Sequence, residues 1–185
     1  MVTISRYKPA YLEAFKRLNR EWIEKYFRIE ACDVKVLGDP EGEIIDKGGE
    51  IFIALDGGSI PVGCCALIRH DATKSTELNA QASHAETKPE GKSLNNGGND
   101  ESPRWELAKM AVDPAYQGHG TATLLATAAI DEARKRGARS IFLEANTKLA
   151  PSVHLYRKLG FRPAANASPA YERCDLFMEL PLSGN

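Results

Sequence analysis

One stretch, AYQGHGTATLLATAAIDEARKRG at residues 115–137, constrains the fold more than any other part of the chain. The segment RWELAKMAV just before it reads as a strand ending at Val112, and Gly118 and Gly120 stand where the next helix begins. Ala122, Leu125, Ala126, Ala129, Ile130 and Ala133 then fall on one face of a helical period, so a helix is predicted over residues 121–136. Gly137 suits its C-terminal cap, and Arg134, Lys135 and Arg136 complement the negative end of the helix dipole. The first N–H groups of a helix lack intrahelical partners and attract an anion, and glycine lets that anion come close to the backbone. The turn QGHGTA therefore reads as a phosphate-binding turn, although by itself it fits a plain tight turn equally well.

The class of phosphate is narrowed by what surrounds the turn. A Walker loop needs a lysine followed by Ser or Thr, and none follows these glycines. A dinucleotide fingerprint is half matched by Gly118 and Gly120, with Thr123 where the third glycine belongs and Glu144 at the end of the next strand. That fold needs repeated strand–helix–strand units, whereas the first half of this chain reads as two helices and a hairpin.

Upstream, VTISRY reads as a first strand and Pro9 opens a helix with Tyr11, Leu12, Phe15, Leu18, Trp22, Tyr26 and Phe27 at helical spacing. That stripe is expected to face the core, with its aromatic far end as an alternative substrate wall. DPEGEIID is expected to hold a short helix capped by Asp39, and EIFIAL and IPVGCCALIRH a hairpin in which Gly63 marks a bulge or a close backbone approach. Downstream, SIFLEAN reads as a strand, APSVHLYRKLG as a helix, and FRP and YERCDLFMEL as closing strands. Residues 71–103 differ: Leu78 is the only large apolar residue before Leu94, and Ser, Asn, Thr, Glu, Lys and Gly dominate. Such a segment cannot offset its ordering entropy by burial, so it reads as a flexible insertion within one domain spanning residues 1–185, with His84 solvated in it.

A length of 185 residues suits one such domain, and a net charge of -1 gives no reason to expect nucleic acid or an anionic membrane as partner. The N-terminus lacks an apolar signal core, and no run approaches a membrane span. Cys32, Cys64, Cys65 and Cys174 form no C-x-x-C pair, and adjacent strand residues such as Cys64 and Cys65 face opposite ways. All four read as core or surface residues in a reducing cytoplasm, with no metal expected.

At this point the sequence resembles the GCN5-related N-acetyltransferases, the GNAT superfamily. Gln117-Gly118-His119-Gly120-Thr121-Ala122 matches that family's Q/R-x-x-G-x-G/A loop, WELAKMAVDP its fourth strand, LEAN its fifth, and SVHLYRKLGF its last helix and the turn after it. The strong likeness covers residues 105–162. It implies an α/β fold with a mixed, mostly antiparallel central sheet, splayed fourth and fifth strands, and helices on both faces. It also implies transfer of acetyl from acetyl-CoA to a primary amine of a small molecule or peptide by direct attack in a ternary complex. The rival function is a regulatory acyl-CoA-binding module without turnover.

The resemblance assigns roles residue by residue. The turn Gln117, Gly118, His119, Gly120, Thr121 and Ala122 would hold the pyrophosphate, and the backbone of Met110, Ala111 and Val112 would pair with pantetheine like an added strand. Asn146 would contact the cofactor, or serve only as a turn former. Tyr156 matches the tyrosine that protonates the departing thiolate, although its spacing also fits the core face of its helix. Glu106 is the expected base, with an orienting or structural role as its alternative and Glu144 as a second candidate. His119 reads as a loop residue rather than a base, and His154, two positions before Tyr156, as facing elsewhere on its helix. The chain has Leu149 where many members carry a second asparagine, and Ser152 is the expected replacement contact. The acceptor is not legible, and a homodimer is left open.

Replacing residues 71–103 with a short Gly/Ser turn is expected to leave the melting temperature within a few degrees, as for removal of a polar segment that buries little apolar surface. A collapse of the thermal transition would show that the segment packs on the domain.

Overall fold

The computed structural model describes residues 1–71, 102–165 and 169–182. Most of the polar stretch at 71–103, with His84, Leu78 and Leu94, lies outside the described residues. The strands are β1 (Thr3–Arg6), β2 (Glu50–Leu55), β3 (Pro61–His70), β4 (Arg104–Val112), β5 (Ser140–Ala145), β6 (Arg162–Pro163) and β7 (Leu176–Pro181). The helices are α1 (Leu12–Tyr26), α2 (Ala31–Gly38), α3 (Thr121–Lys135) and α4 (Ala150–Lys158). Among the described residues the strands form one sheet in the order β1-β2-β3-β4-β5-β7-β6. Neighbours are antiparallel except β4 and β5, which run parallel.

Both faces of the sheet are covered, which explains the near-continuous apolar runs in β2 and β3. Successive strand residues point to opposite faces. Ile51, Ile53, Cys64 and Ala66 pack with Phe15, Leu18 and Ile23 of α1 and Leu37 of α2. Phe52, Ala54, Cys65 and Leu67 pack on the other side with Leu125, Ala126, Ala129 and Ala133 of α3 and Tyr156 of α4. Full burial of a side chain such as Phe15 contributes roughly 1.5–3 kcal/mol. The adjacent cysteines are divided between the two cores, as the alternation of strand side chains requires. Gly63 marks a close approach: a Cβ there would sit 3.2 Å from Leu125 Cδ1 and 3.3 Å from the Ala111 carbonyl.

Two local expectations are corrected, and one helix is not foreseen. The helix expected at DPEGEIID is one π-helical turn, Glu41–Ile45, because Asp39 closes α2 while its carboxylate also accepts the Gly42 N–H at 2.9 Å. The helix α2 itself carries no strong periodic signal. It is held by Asp33, whose carboxylate accepts the Glu30 N–H at its N-terminus. The last strand begins at Leu176, not Tyr171, so residues 171–175 form a loop at the open side of the sheet.

Two features shape that open side. Cys64 pairs with Ala111 and Ala66 with Ala108, so Lys109 and Met110 together oppose Cys65 in a β-bulge. Lys109 has φ 51°, a left-handed conformation that costs a non-glycine residue about 1–3 kcal/mol. Its ammonium is anchored by Asp33 at 2.8 Å and the Tyr171 hydroxyl at 2.7 Å. Arg173 adds a two-pronged contact to Asp33 at 2.6 and 2.9 Å and reaches Glu30 at 2.8 Å. Burial alone would raise the Asp33 carboxyl, but hydrogen bonds from Arg173 and Lys109 overcome it and hold the group below its ordinary value. The network ties α2, the bulge and the 171–175 loop into one wall.

Removing one member of a buried ion pair typically costs about 3–5 kcal/mol, and Asp33→Asn is expected to lower unfolding free energy by about that much, since it leaves two cations short of charge. Because the folded-state value is depressed, the stability from Asp33 is complete above its unfolded value of 3.8 and is lost as pH falls through the lower folded one. Denaturant unfolding at pH 7 and pH 3 checks this: the variant should lose less than the parent on acidification.

Candidate functional site

The cleft begins where two strands stop pairing. β4 and β5 are in register at Trp105↔Ile141 and Glu106↔Phe142 and then part. The gap is lined on one side by Leu107, Ala108, Lys109 and Met110, and on the other by Glu144, Ala145 and Asn146. Ala111 is buried with its Cα opposite Cys64, and Val112 ends the strand opposite Gly63. Of the three residues expected to pair with pantetheine, Met110 lines the cleft, while Ala111 and Val112 continue its edge toward the glycine turn.

At that end of β4 a short turn, Pro114–Tyr116, leads into the glycines. Gly118 and Gly120 have φ of 78° and 83°, and a Cβ built on either meets nothing within 4 Å. Gly120 is the N-cap of α3 and supplies no side-chain cap, so the helix mouth is left without one. The side chains around it brace the turn: Gln117 Nε2 donates to the Val112 carbonyl at 2.8 Å, His119 Nδ1 lies 2.8 Å from the Gln117 carbonyl, and buried Thr121 donates to the Tyr116 carbonyl at 3.2 Å. Ala122 is partly buried in the first turn of α3. What the turn offers a ligand is therefore its backbone and its open space.

The acid–base candidates line this one cleft. Tyr156 is buried, lines the cleft and packs edge-on against Phe161 at 6.0 Å. Burial pushes its phenol up, so the hydroxyl stays protonated through the neutral range. Glu106 and Glu144, on the two parting strands, both line the cleft. Burial raises the Glu144 carboxyl, and the charge of Glu106 adds to the rise, against two backbone donors that lower it. Both Glu144 oxygens accept the Ala170 N–H at 3.0 Å. Glu106 instead has His70 as neighbour, with Nε2 2.8 Å from Oε2. Cys174 also lines the cleft, and burial together with the Glu144 charge pushes its thiol up to about 12. His119 sits exposed in the glycine turn, and His154 is exposed on α4.

The remaining expected residues hold the rim. Asn146 lines the cleft, but its amide is also engaged: Nδ2 donates to the Arg173 carbonyl, and Oδ1 accepts the Lys148 N–H at 2.8 Å. Ser152 lines the cleft from the first turn of α4, and Leu149 occupies that helix's N-cap without a side-chain cap. The aromatic end of α1 serves two purposes. Phe15, Leu18 and Ile23 are buried, while Trp22 and Phe27 reach the cleft with ring centroids 5.9 Å apart. Sequence reasoning missed Asp33, Lys109, Tyr171, Arg173 and His70. Their hydrogen-bonding side-chain partners come from separate elements 36 or more residues away, as Glu106 does for His70 across 36 positions and Asp33 for Lys109 across 76.

Comparison with known proteins bears on the family and the fold. The chain is 37% identical over 82 residues to the [ribosomal protein bS18]-alanine N-acetyltransferase of Escherichia coli K12, covering 42% of this chain and 55% of that protein. It is 35% identical over 69 residues to the streptothricin acetyltransferase of Streptomyces lavendulae, covering 37% and 36%. The chain thus spans about half the length, or less, of these curated relatives. Among solved structures, a GNAT-family acetyltransferase from Staphylococcus aureus superposes with a TM-score of 0.75 at 19% identity, covering 99% of this chain and 100% of that one. Arabidopsis thaliana NAA60 in complex with acetyl-CoA gives 0.69 at 16%, covering 98% and 99%. These likenesses show the same fold. The acetyltransferase (GNAT) family model matches residues 11–161, which is most of the chain, and the protein belongs to that family.

Proposed function

We propose that this chain is an N-acetyltransferase that moves acetyl from acetyl-CoA to a primary amine by direct attack in a ternary complex. The observation that carries the reading is the cleft between β4 and β5. An uncapped helix mouth follows the end of β4, and a phenol and two carboxylates line the cleft. The residues suit the cosubstrate: open space over Gly118 and Gly120 admits a diphosphate, and the unpaired edge of β4 offers amide partners to pantetheine. Acetyl-CoA supplies the acyl group as an activated thioester.

The chain's own groups do the rest. Glu106 takes the proton of the acceptor amine, which is needed because an ammonium has no lone pair to attack with. Glu144 is the less suitable base because its oxygens are engaged by the Ala170 N–H. Tyr156 donates its hydroxyl proton to the leaving sulfur, and its buried, protonated state fits an acid. The high value of the Cys174 thiol speaks against a thiolate nucleophile and so against an acetyl-cysteine stage. The domain is a single unit over residues 1–185, with residues 71–103 inserted between β3 and β4. The acceptor meets the aromatic wall of Trp22 and Phe27 and the 171–175 loop. The acceptors named for relatives, a ribosomal-protein alanine and streptothricin, define a first panel: N-terminal alanyl peptides, lysine-like amines and amine antibiotics.

Thiol release from acetyl-CoA with that panel tests the function. Binding without release for any amine would favour the regulatory acyl-CoA-binding module. Gly120→Glu, which puts a carboxylate where the phosphates would lie, is expected to weaken acetyl-CoA binding by more than tenfold in calorimetry. Unchanged affinity would move the phosphate site elsewhere. Tyr156→Phe keeps the ring and removes the hydroxyl. General acid catalysis contributes about a hundredfold or more, about 2.7 kcal/mol of barrier, so kcat should fall by at least that factor with acetyl-CoA affinity and melting temperature kept. A kcat within about threefold of the parent, far below the effect of a lost acid, would assign the proton to water.

A further inference from the structure

We propose that His70 is a proton relay, taking from Glu106 the proton that Glu106 removes from the acceptor amine and passing it to solvent. The inference rests on Glu106 as the base. It starts from stoichiometry. A protonated amine loses two protons on becoming an amide. One goes to the CoA sulfur and the other must leave the protein, so Glu106 has to shed one proton in every turnover. Its side chain is only 8% exposed, which leaves little room for direct exchange with bulk water.

His70 supplies the missing exit. It is the last residue of β3 and pairs with Arg104, while Glu106 lies two residues along β4 on the same face of the sheet. This diagonal placement brings Nε2 to 2.8 Å from Glu106 Oε2, while 46% of the imidazole side chain reaches solvent. The ring is also held in orientation, tilted against Phe142 at 5.4 Å. Phe142 is stacked on Phe177 at 5.2 Å and covered by the Arg104 guanidinium at 4.5 Å. Among the described residues, Arg104 on β4, Glu144 on β5, and Tyr171 and Cys174 of the following loop are the titratable groups near the pair, with Phe142 and Phe177 as its apolar floor. A buried carboxylate thus connects through one imidazole to water.

The step balances without any further reactant. Glu106 gains a proton from the amine nitrogen, and its Oε2–H is transferred to His70 Nε2. The Nδ1–H of the resulting imidazolium goes to water, and ring tautomerisation restores the starting state. One proton is released per acetyl transferred.

The test uses the full chain, acetyl-CoA and the panel amine with the highest kcat/KM. His70→Ala is expected to lower kcat by about tenfold or more, as loss of a proton-transfer group does. Both KM values should stay within about threefold, with the melting temperature near the parent's. Added imidazole should restore part of the lost kcat in a concentration-dependent way. His70→Gln, which can still hydrogen-bond Glu106 but cannot carry a proton, should stay as slow as His70→Ala. Parental kcat in His70→Gln, or a slow His70→Ala that imidazole does not rescue, would overturn the relay and leave His70 a positioning residue. A kcat of His70→Ala within threefold of the parent would also overturn it. Glu106→Gln separates the two readings: if it retains kcat, the assignment of the base fails and the relay falls with it. If it is inactive while His70 variants are not, only the relay fails.

Discussion

The functional side of this molecule depends on one interruption: β4 and β5 stop pairing after Glu106 and Phe142. A parallel pair that continued would close the sheet and bury its own backbone groups. Parting instead leaves the far half of β4 with an unpaired edge, and the fold must keep that edge from collapsing. It does so with the bulge at Lys109 and Met110 and with the ionic wall behind it. The left-handed backbone at Lys109 is unfavourable by itself. It persists because Asp33 and Tyr171 fix the ammonium, and Asp33 is fixed in turn by Arg173. Backbone strain, buried charge and the open cleft are thus parts of one arrangement.

The same arrangement sorts the titratable groups. Tyr156 is pressed between the sheet and Phe161, where desolvation favours the neutral phenol. The carboxylates of Glu106 and Glu144 come from strands that have just separated, close enough for one to act on the other electrostatically. Their surroundings then differentiate them: Glu144 is held by a loop N–H, and Glu106 is joined to an imidazole at the surface. Environment, not residue type, distinguishes the two like carboxylates. The cations Lys109 and Arg173, which could have neutralised these acids, are committed to Asp33 and Glu30.

Local sequence carries a signal when the residues that act together are neighbours in the chain. The glycine turn, the apolar face of α3 and the helix from Ala150 to Lys158 are of this kind, since each is written within one or two turns of backbone. Gly63 could be read as a close approach because only a missing side chain makes sense there, and α3 packs against it. α2 is not legible in the sequence because its eight residues show little periodicity and its stability comes from tertiary charge pairing. The π-turn after it reads as a helix in the sequence because Asp39 and Pro40 are helix-start residues, and nothing local says that Asp39 already ends another helix. The final strand starts later than its sequence suggests because Tyr171, Arg173 and Cys174 resemble strand residues but are drawn away to the cleft.

By itself, then, the sequence determined most of the strands, the helices α1, α3 and α4, and the glycine turn at the mouth of α3, because periodicity and glycine placement act over a few residues. It also carried the family, through motifs that lie close together between residues 105 and 162. Only the tertiary structure decided which carboxylate meets a histidine, that a strand lysine would turn out of its ladder into a buried ion cluster, and that the end of α1 would wall the cleft. Those outcomes join residues tens of positions apart through Coulombic and packing terms. Such terms exist only once the sheet has brought the elements together, so no short window of sequence contains them.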